Sequence, residues 1–173
     1  MQFQSIAKWV GAGALALAFM AAPARMTAQS TGTVLNAAAA QKLLPAAVYY
    51  KAQSASTQLR NSGGVKFADG YYMLVTLVDT SGYSSDVASK YQAYLLTEVP
   101  LKIGGKTLPA GAWGIGFIGG DQLVVTDIGA HDVMTVRYST DSAIKRPMPL
   151  QVLADPTGGF RLYEGRKYVE FSR

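Results

Sequence analysis

Residues 71–80 read YYMLVTLVDT, the densest run of β-forming side chains in the chain. Aromatic and β-branched residues favour strands, and the apolar side chains of this run occupy both odd and even positions. A strand that is apolar on both faces is typical of the interior of a sheet. The stretch therefore predicts a central β-strand around which the rest of the domain is built.

Short apolar runs separated by Gly, Pro, Asn and Asp continue on both sides of that strand. Gly104-Gly105 and Glu164-Gly165 lie between such runs and suit tight hairpin turns. One ambiguous segment is best explained by a helical turn after Ser84-Ser85, followed by a strand. The pattern predicts one all-β domain, an antiparallel sandwich or a closed barrel of about 8–10 short strands. Further strands are expected at 92–98, 122–128, 132–139, 150–154, 160–163 and 167–171.

Residues 113–118 (WGIGFI) alternate large apolar side chains with glycines. Because successive strand residues point to opposite faces, Trp113, Ile115 and Phe117 should enter one core, beside strand 71–80. Gly114 and Gly116 leave the other face nearly bare, so another segment is expected to approach it closely. Residues 114–119 also match the G-x-G-x-x-G pattern, but a predicted strand follows where a dinucleotide site needs a helix. We therefore expect no nucleotide cofactor.

The first 24 residues have the features of a secretory signal peptide. Lys8 precedes an uncharged apolar run of 13 residues at 10–22, and Ala22-Pro23-Ala24 supplies the small residues that a signal peptidase recognises. A helix of that length is too short for a hydrocarbon core of roughly 30 Å. We predict cleavage before Arg25, or before Gln29 at a second site, and export to the periplasm or the medium with no transmembrane segment remaining.

The mature chain is expected to have a loosely structured N-terminal segment at 25–45, a linker or short helix that ends at Pro45, and a single β-domain at 46–173. The chain contains no cysteine, which excludes disulfides, thiol catalysis and cysteine-based metal sites. The net charge of +5 would let a basic patch bind anionic envelope polymers or lipid head groups, but a solvated surface of mixed charge explains it more simply. A glycan or another envelope component is a possible partner. Export argues against nucleic acid as a partner.

No recognisable catalytic set is present in the sequence. His131 is the single histidine, and no Gly-x-Ser-x-Gly motif occurs, so neither a catalytic triad nor a metal site is expected. Asp79 is followed by Thr-Ser-Gly, so serine stands two residues after the aspartate, where aspartic proteases need glycine. The sequence therefore does not match the motif of an aspartic protease. A pair of carboxylates could still hydrolyse a polymer, and such a pair depends on spatial separation rather than on sequence. The candidates, on or near predicted strands, are Asp79, Glu98, Asp127 and Glu170.

Tyrosine is abundant, with 10 residues that include the adjacent pairs Tyr49-Tyr50 and Tyr71-Tyr72. On a strand, each pair puts one ring inward and one outward, and an outward ring can stack on a ligand. These four tyrosines are the candidate ligand-binding residues. The leading hypothesis is a noncatalytic module of the envelope or secreted fraction that binds a ligand, glycan or protein. The alternatives are a hydrolase with a carboxylate pair and a small outer-membrane barrel, which would need longer strands.

Residues 100–117 (PLKIGGKTLPAGAWGIGF) resemble a segment of exported bacterial β-domain proteins of unknown function. In that segment, a strand and a Gly-Gly or Asn-Gly turn precede Leu-Pro-Ala-Gly and a strand that begins with an aromatic residue. The resemblance implies an exported β-domain and brings no catalytic residue with it. The matching positions are Leu101, Gly104, Gly105, Lys106, Leu108, Pro109, Ala110, Gly111 and Trp113.

Overall fold

The computed structural model describes residues 32–173, so the predicted signal peptide at 1–24 lies outside the described residues. Within them, the chain forms fourteen strands and two short helices, and the fold is all-β as expected. The strands outnumber the expected eight to ten because several have only two to four residues. The helices are α1 (Ala37–Ala40) and α2 (Ser85–Lys90). The strands are β1 (Gly32–Leu35), β2 (Ala47–Tyr50), β3 (Gln53–Phe67), β4 (Tyr72–Val78), β5 (Ala93–Thr97), β6 (Leu101–Ile103), β7 (Lys106–Leu108), β8 (Gly111–Ile118), β9 (Gln122–Thr126), β10 (Asp132–Arg137), β11 (Ser139–Thr140), β12 (Gln151–Ala154), β13 (Phe160–Glu164) and β14 (Lys167–Ser172).

The strands form two antiparallel sheets that share one core. The larger sheet has the order β1-β3-β4-β5-β8-β9-β10, with β2 paired to β3. The smaller sheet has the order β12-β13-β14-β6-β7, with β11 paired to β14. Val75 and Ile115 of the larger sheet are buried in one cluster with Leu101 and Val169 of the smaller sheet. The architecture is therefore a sandwich, and neither sheet closes into a barrel.

The predicted central strand is confirmed. β4 lies between β3 and β5, and Met73, Leu74 and Val75 are all buried. Met73 and Val75 enter the core between the sheets, whereas Leu74 packs on the outer side against α1. Burial on both sides explains why this run is apolar at consecutive positions.

The strand β8 partly agrees with its prediction. Ile115 and Phe117 are fully buried in the core between the sheets, and Trp113 packs against that core half-buried. The expected neighbour is wrong, because β5 lies between β4 and β8. Strand β9 follows the G-x-G-x-x-G pattern, so no helix N-terminus is available to a phosphate there.

Strand β3 has 15 residues and organises one end of the larger sheet. Its first part pairs with β2, where Tyr50 faces Gln53, and its last part pairs with β1, where Gly32 faces Phe67. The register with β4 shifts between Gln58 and Ser62, which marks a bulge. The polar composition of the first half gave no strand signal in the sequence.

Residues 32–45, within the segment expected to be a linker or short helix, pack on the larger sheet. Strand β1 pairs with β3, and the Asn36 side chain caps α1 by accepting a hydrogen bond of 3.0 Å from the Ala39 amide. Ala40 and Leu44 are buried against Leu74. The expected short helix before Pro45 is present, and its packing on the outer face of β4 holds it in place.

The predicted turns are present. Gly104 and Gly105 have φ of +53° and +81° and join β6 to β7. Gly165 joins β13 to β14 in the closing hairpin, and the ambiguous segment forms α2 followed by β5.

Within residues 32–173, neither helix has the length and apolar character that a membrane-spanning helix needs.

One buried ion pair stabilises the smaller sheet. The Asp155 side chain is 1% exposed and accepts a hydrogen bond from Arg161 Nε of β13. Burial alone would raise the pKa of Asp155, but hydrogen bonds from the Thr157 hydroxyl and amide, together with Arg161, outweigh it and lower that pKa. Asp155 is therefore charged at neutral pH.

Candidate binding cavity

The cavity is built on the glycine face of β8. Gly114 and Gly116 face the outer side of the larger sheet, opposite the core. The predicted close approach to this face is confirmed, because a Cβ atom at Gly116 would lie 2.7 Å from the carbonyl oxygens of Ser89 and Lys90. The end of α2 therefore rests directly on the β8 backbone. This contact places the next residue, Tyr91, beside Gly114.

Gly114 makes room for two tyrosine rings. A Cβ atom there would lie 2.6 Å from Tyr91 Cδ2, 3.0 Å from Tyr50 Cε2 and 2.5 Å from Thr126 Oγ1. Carbon atoms in contact normally lie about 3.5–4.0 Å apart, so only glycine fits at this position. The two rings stack with their centroids 3.5 Å apart and their planes 9° apart.

Tyr83 completes an aromatic group that we call the tyrosine cluster (Tyr50, Tyr83 and Tyr91). Its ring stands at 80° to Tyr50 and at 89° to Tyr91, with centroids 5.9 and 5.8 Å away. Edge-to-face contacts of this kind are favourable because the positive ring edge meets the negative ring face. The Tyr83 hydroxyl donates to the Tyr50 carbonyl oxygen at 3.0 Å, which ties α2's leading loop to β2.

The hydroxyls of the cluster are uncharged at neutral pH. Burial raises the pKa of Tyr50, the Thr126 hydrogen bond of 2.7 Å partly offsets this, and Asp127 and Asp132 raise it further. Burial also raises the pKa of Tyr91, whose hydroxyl is buried with no partner among the described residues. The cluster is therefore an apolar platform and has no ionised phenol that could act as a base.

Beside this platform lies a cavity of about 220 Å³. None of its lining residues carries a charged side chain, and most of them are apolar or aromatic. Apolar lining with few polar groups is characteristic of ligand pockets. The lining residues are Pro45, Ala47, Val48, Tyr49, Tyr50, Tyr91, Tyr94, Ala112, Trp113, Gly114 and Ile128.

One side of the cavity follows strand β2, which pairs with β3 alone among the described strands. The Thr57 amide donates to the Ala46 carbonyl oxygen at 2.9 Å, which fixes the alternation of this antiparallel ladder. Hydrogen-bonded pairs recur every second residue, so the backbone groups of Ala47 and Tyr49 point away from β3. Two N–H and two C=O groups therefore form an open edge along the cavity, which we call the β2 edge.

The loop after β9 also borders the cavity. Asp127 Oδ1 accepts hydrogen bonds from the amides of Gly129 at 2.8 Å and His131 at 2.9 Å. These bonds, and the contact between the carboxylate and the His131 ring, lower the pKa of Asp127. The Lys51 amide donates to the Ile128 carbonyl oxygen at 2.9 Å. The loop is thus tied to the β2–β3 turn, and Ile128 is held at the cavity, 58% exposed.

The four candidate tyrosines separate into two places. Tyr49 is 60% exposed and Tyr50 is 2% exposed, so this pair has one ring outward and one inward, and both residues line the cavity. Tyr71 and Tyr72 are absent from the lining. Tyr71 is 51% exposed, and the Arg173 guanidinium lies 5.9 Å from its ring. Tyr72 is half-buried below α1.

Sequence reasoning missed the other tyrosines of the cavity. Tyr91 and Tyr94 lie about 40 residues from Tyr50 in the chain, and only the packing of α2 and β5 brings them together. The Tyr49-Tyr50 pair and the bare glycine face were the signals in the sequence that pointed to this site.

Each candidate carboxylate has a partner of its own, and no contact among the described residues joins two of them. Glu98 accepts a hydrogen bond from the Tyr72 amide at the start of β4, whereas Asp79 follows the end of that strand. Seven residues of extended chain separate these points by about 20 Å. Asp127 is bonded within its own loop, and Glu170 lies 3.5 Å from Arg161 on the smaller sheet. Residues 32–173 contain no group of three or more His, Asp or Glu side chains placed to hold a metal ion.

Comparison of the chain with protein-family models, with curated proteins and with solved structures finds no match.

Proposed function

We propose that this chain is an exported, noncatalytic binding module and that the cavity beside the tyrosine cluster is its binding site. The observation that carries the proposal is the combination of an uncharged cavity of about 220 Å³ with a platform of stacked aromatic rings. Concave apolar sites with a few polar groups at the margin are where proteins bind small ligands or single side chains.

Export is the second element of this proposal. It is supported by the charged start, the short apolar run and the Ala22-Pro23-Ala24 sequence at the N-terminus. The absence of cysteine from the sequence fits a protein whose stability comes from its packed core. In this setting, the module would bind a ligand, glycan or protein of the envelope or medium.

A cavity-filling variant tests the proposal. Ala112 is exposed and lines the cavity on the same face of β8 as Gly114, so Ala112→Phe fills the cavity without disturbing the core. Ala154→Phe on β12 is the matched control, because Ala154 is also an exposed strand alanine but lies outside the cavity lining. Circular dichroism establishes that both variants fold.

Saturation-transfer NMR then measures the binding of a panel of monosaccharides, small aromatic molecules and short peptides. We expect at least one member to bind the parent chain and Ala154→Phe, and to lose binding in Ala112→Phe. If no member binds, or if binding is unchanged in Ala112→Phe, the cavity is not the site.

A further inference from the structure

The β2 edge and the cavity lie side by side, and together they define one kind of ligand. An open strand edge offers alternating N–H and C=O groups at the spacing of another extended backbone. A free sugar or a small aromatic molecule does not carry that pattern. Peptide ligands that add a strand to a sheet use it for affinity, and pockets beside the strand select their side chains.

The register of such an added strand follows from the geometry. Its residues opposite Ala47 and Tyr49 would exchange hydrogen bonds with the four open backbone groups. The residue between them would lie opposite Val48, and its side chain would share the face of Val48. Val48 is buried in the cluster that contains Tyr50 and Tyr91, so that face is the cavity side.

The size and charge of the cavity specify the side chain. An apolar cavity of about 150 Å³ holds a benzene molecule, and the volume of about 220 Å³ here is about one and a half times as large. A phenylalanine or tryptophan side chain therefore fits. The nearby acids Asp127 and Asp132 face His131 and Lys90, at 3.0 and 2.9 Å, and neither acid lines the cavity. An uncharged aromatic residue meets no unpaired charge in this site.

We infer that the module binds an extended peptide segment that adds a strand to the β2 edge and inserts one aromatic side chain into the cavity. This inference rests on the proposed function, since it uses the same cavity and names the class of partner. It excludes a glycan as the principal ligand of this site.

The test uses backbone methylation of a defined peptide. The probe is acetyl-Thr-Thr-Trp-Thr-Thr-amide, whose second and fourth residues would lie opposite the β2 edge groups. We expect N-methylation of those two amides to weaken binding at least tenfold, because the methyl groups remove the donors and block the approach. N-methylation of the Trp amide, which would point away from β2, is the matched control and should change affinity less than threefold. Isothermal titration calorimetry with the full chain measures each dissociation constant.

Two protein variants test the same geometry from the other side. Tyr49→Pro removes one N–H group from the β2 edge but none from the ladder with β3. It should weaken binding of the peptide at least tenfold. Tyr49→Val removes the same ring but keeps the amide, so Tyr49→Pro should bind the peptide at least threefold more weakly than Tyr49→Val, and equal affinity of the two variants would contradict strand addition.

The outcomes separate this inference from the proposed function. If methyl β-glucopyranoside or free indole binds in the cavity and the peptide does not, the strand-addition inference is wrong and the binding module stands. Equal binding of both methylated peptides would also overturn strand addition. If the peptide, the sugar and indole all fail to bind, both proposals are wrong.

Discussion

Replacing Gly114 by alanine should destabilise the domain through its contacts with the tyrosine cluster and Thr126. The added methyl carbon would lie 2.5 Å from Thr126 Oγ1 and 2.6 Å from Tyr91 Cδ2, so both neighbours must move. Overpacking of this kind costs about 1–3 kcal/mol, and loss of the hydrogen bond of 2.7 Å between Tyr50 and Thr126 adds about 1 kcal/mol. Alanine also lowers the conformational entropy of the unfolded chain relative to glycine, which offsets roughly 0.4–1 kcal/mol of this destabilisation. The expected net loss is about 2 kcal/mol.

Urea unfolding followed by far-ultraviolet circular dichroism measures this loss. Gly119→Ala is the matched control, because a Cβ atom there would meet nothing within 4 Å and its φ is not positive. The control should keep the parent's unfolding free energy within about 0.5 kcal/mol. A Gly114→Ala variant as stable as Gly119→Ala would refute the close packing of the two rings on β8. Because the rings also form the platform of the cavity, the same variant should lower the affinity for any ligand that binds there.

Three further predictions concern stability, catalysis and export. Asp155→Asn should lower the unfolding free energy at pH 7 by roughly 3 kcal/mol, since it breaks a buried ion pair. The pKa of Asp155 is lower in the folded state than in the unfolded chain, where it is about 3.9. The carboxylate therefore contributes its full stabilisation above that pH. The difference in unfolding free energy between parent and variant, measured by urea unfolding, should shrink as the pH falls below it. Asp79→Asn and Glu98→Gln should each bind the Trp peptide with a dissociation constant within about threefold of the parent's by calorimetry, a difference under roughly 0.7 kcal/mol. If the parent chain hydrolyses a polymer and either change abolishes that hydrolysis, the protein is an enzyme. N-terminal sequencing of the secreted protein should begin at Arg25, and recovery of the intact leader on a membrane would contradict export.

Much of the fold could be predicted because its signals are local. The run at 71–80 is apolar at consecutive positions and rich in β-branched and aromatic residues, which is typical of a strand covered on both faces, and β4 is that strand. Glycine pairs identified the β6–β7 turn since both positions need positive φ. The alternation at 113–118 predicted a face that another segment approaches, and α2 with Tyr91 occupies it.

Other parts of the fold depend on contacts between distant segments. The first half of β3 is polar, and it is a strand because β2 and β4 supply hydrogen-bond partners for its backbone. Residues 32–45 have little apolar periodicity, yet Ala40 and Leu44 find a buried surface on Leu74. No local pattern encodes these pairings, since backbone hydrogen bonds are the same for every residue type.

The candidate site divides in the same way. By itself, the sequence determined an all-β domain, a tyrosine excess and a bare glycine face, because composition and a period of two are properties of the chain. Only the tertiary structure brought Tyr50 and Tyr91 together over Gly114 and separated the pair at 71–72 from them. It also left the β2 edge open beside the cavity, because an edge exists only once the order of strands in the sheet is known. A side chain's neighbours across a sheet are set by the pairing of strands that lie far apart in the chain, and that pairing is decided by the packing of the whole domain.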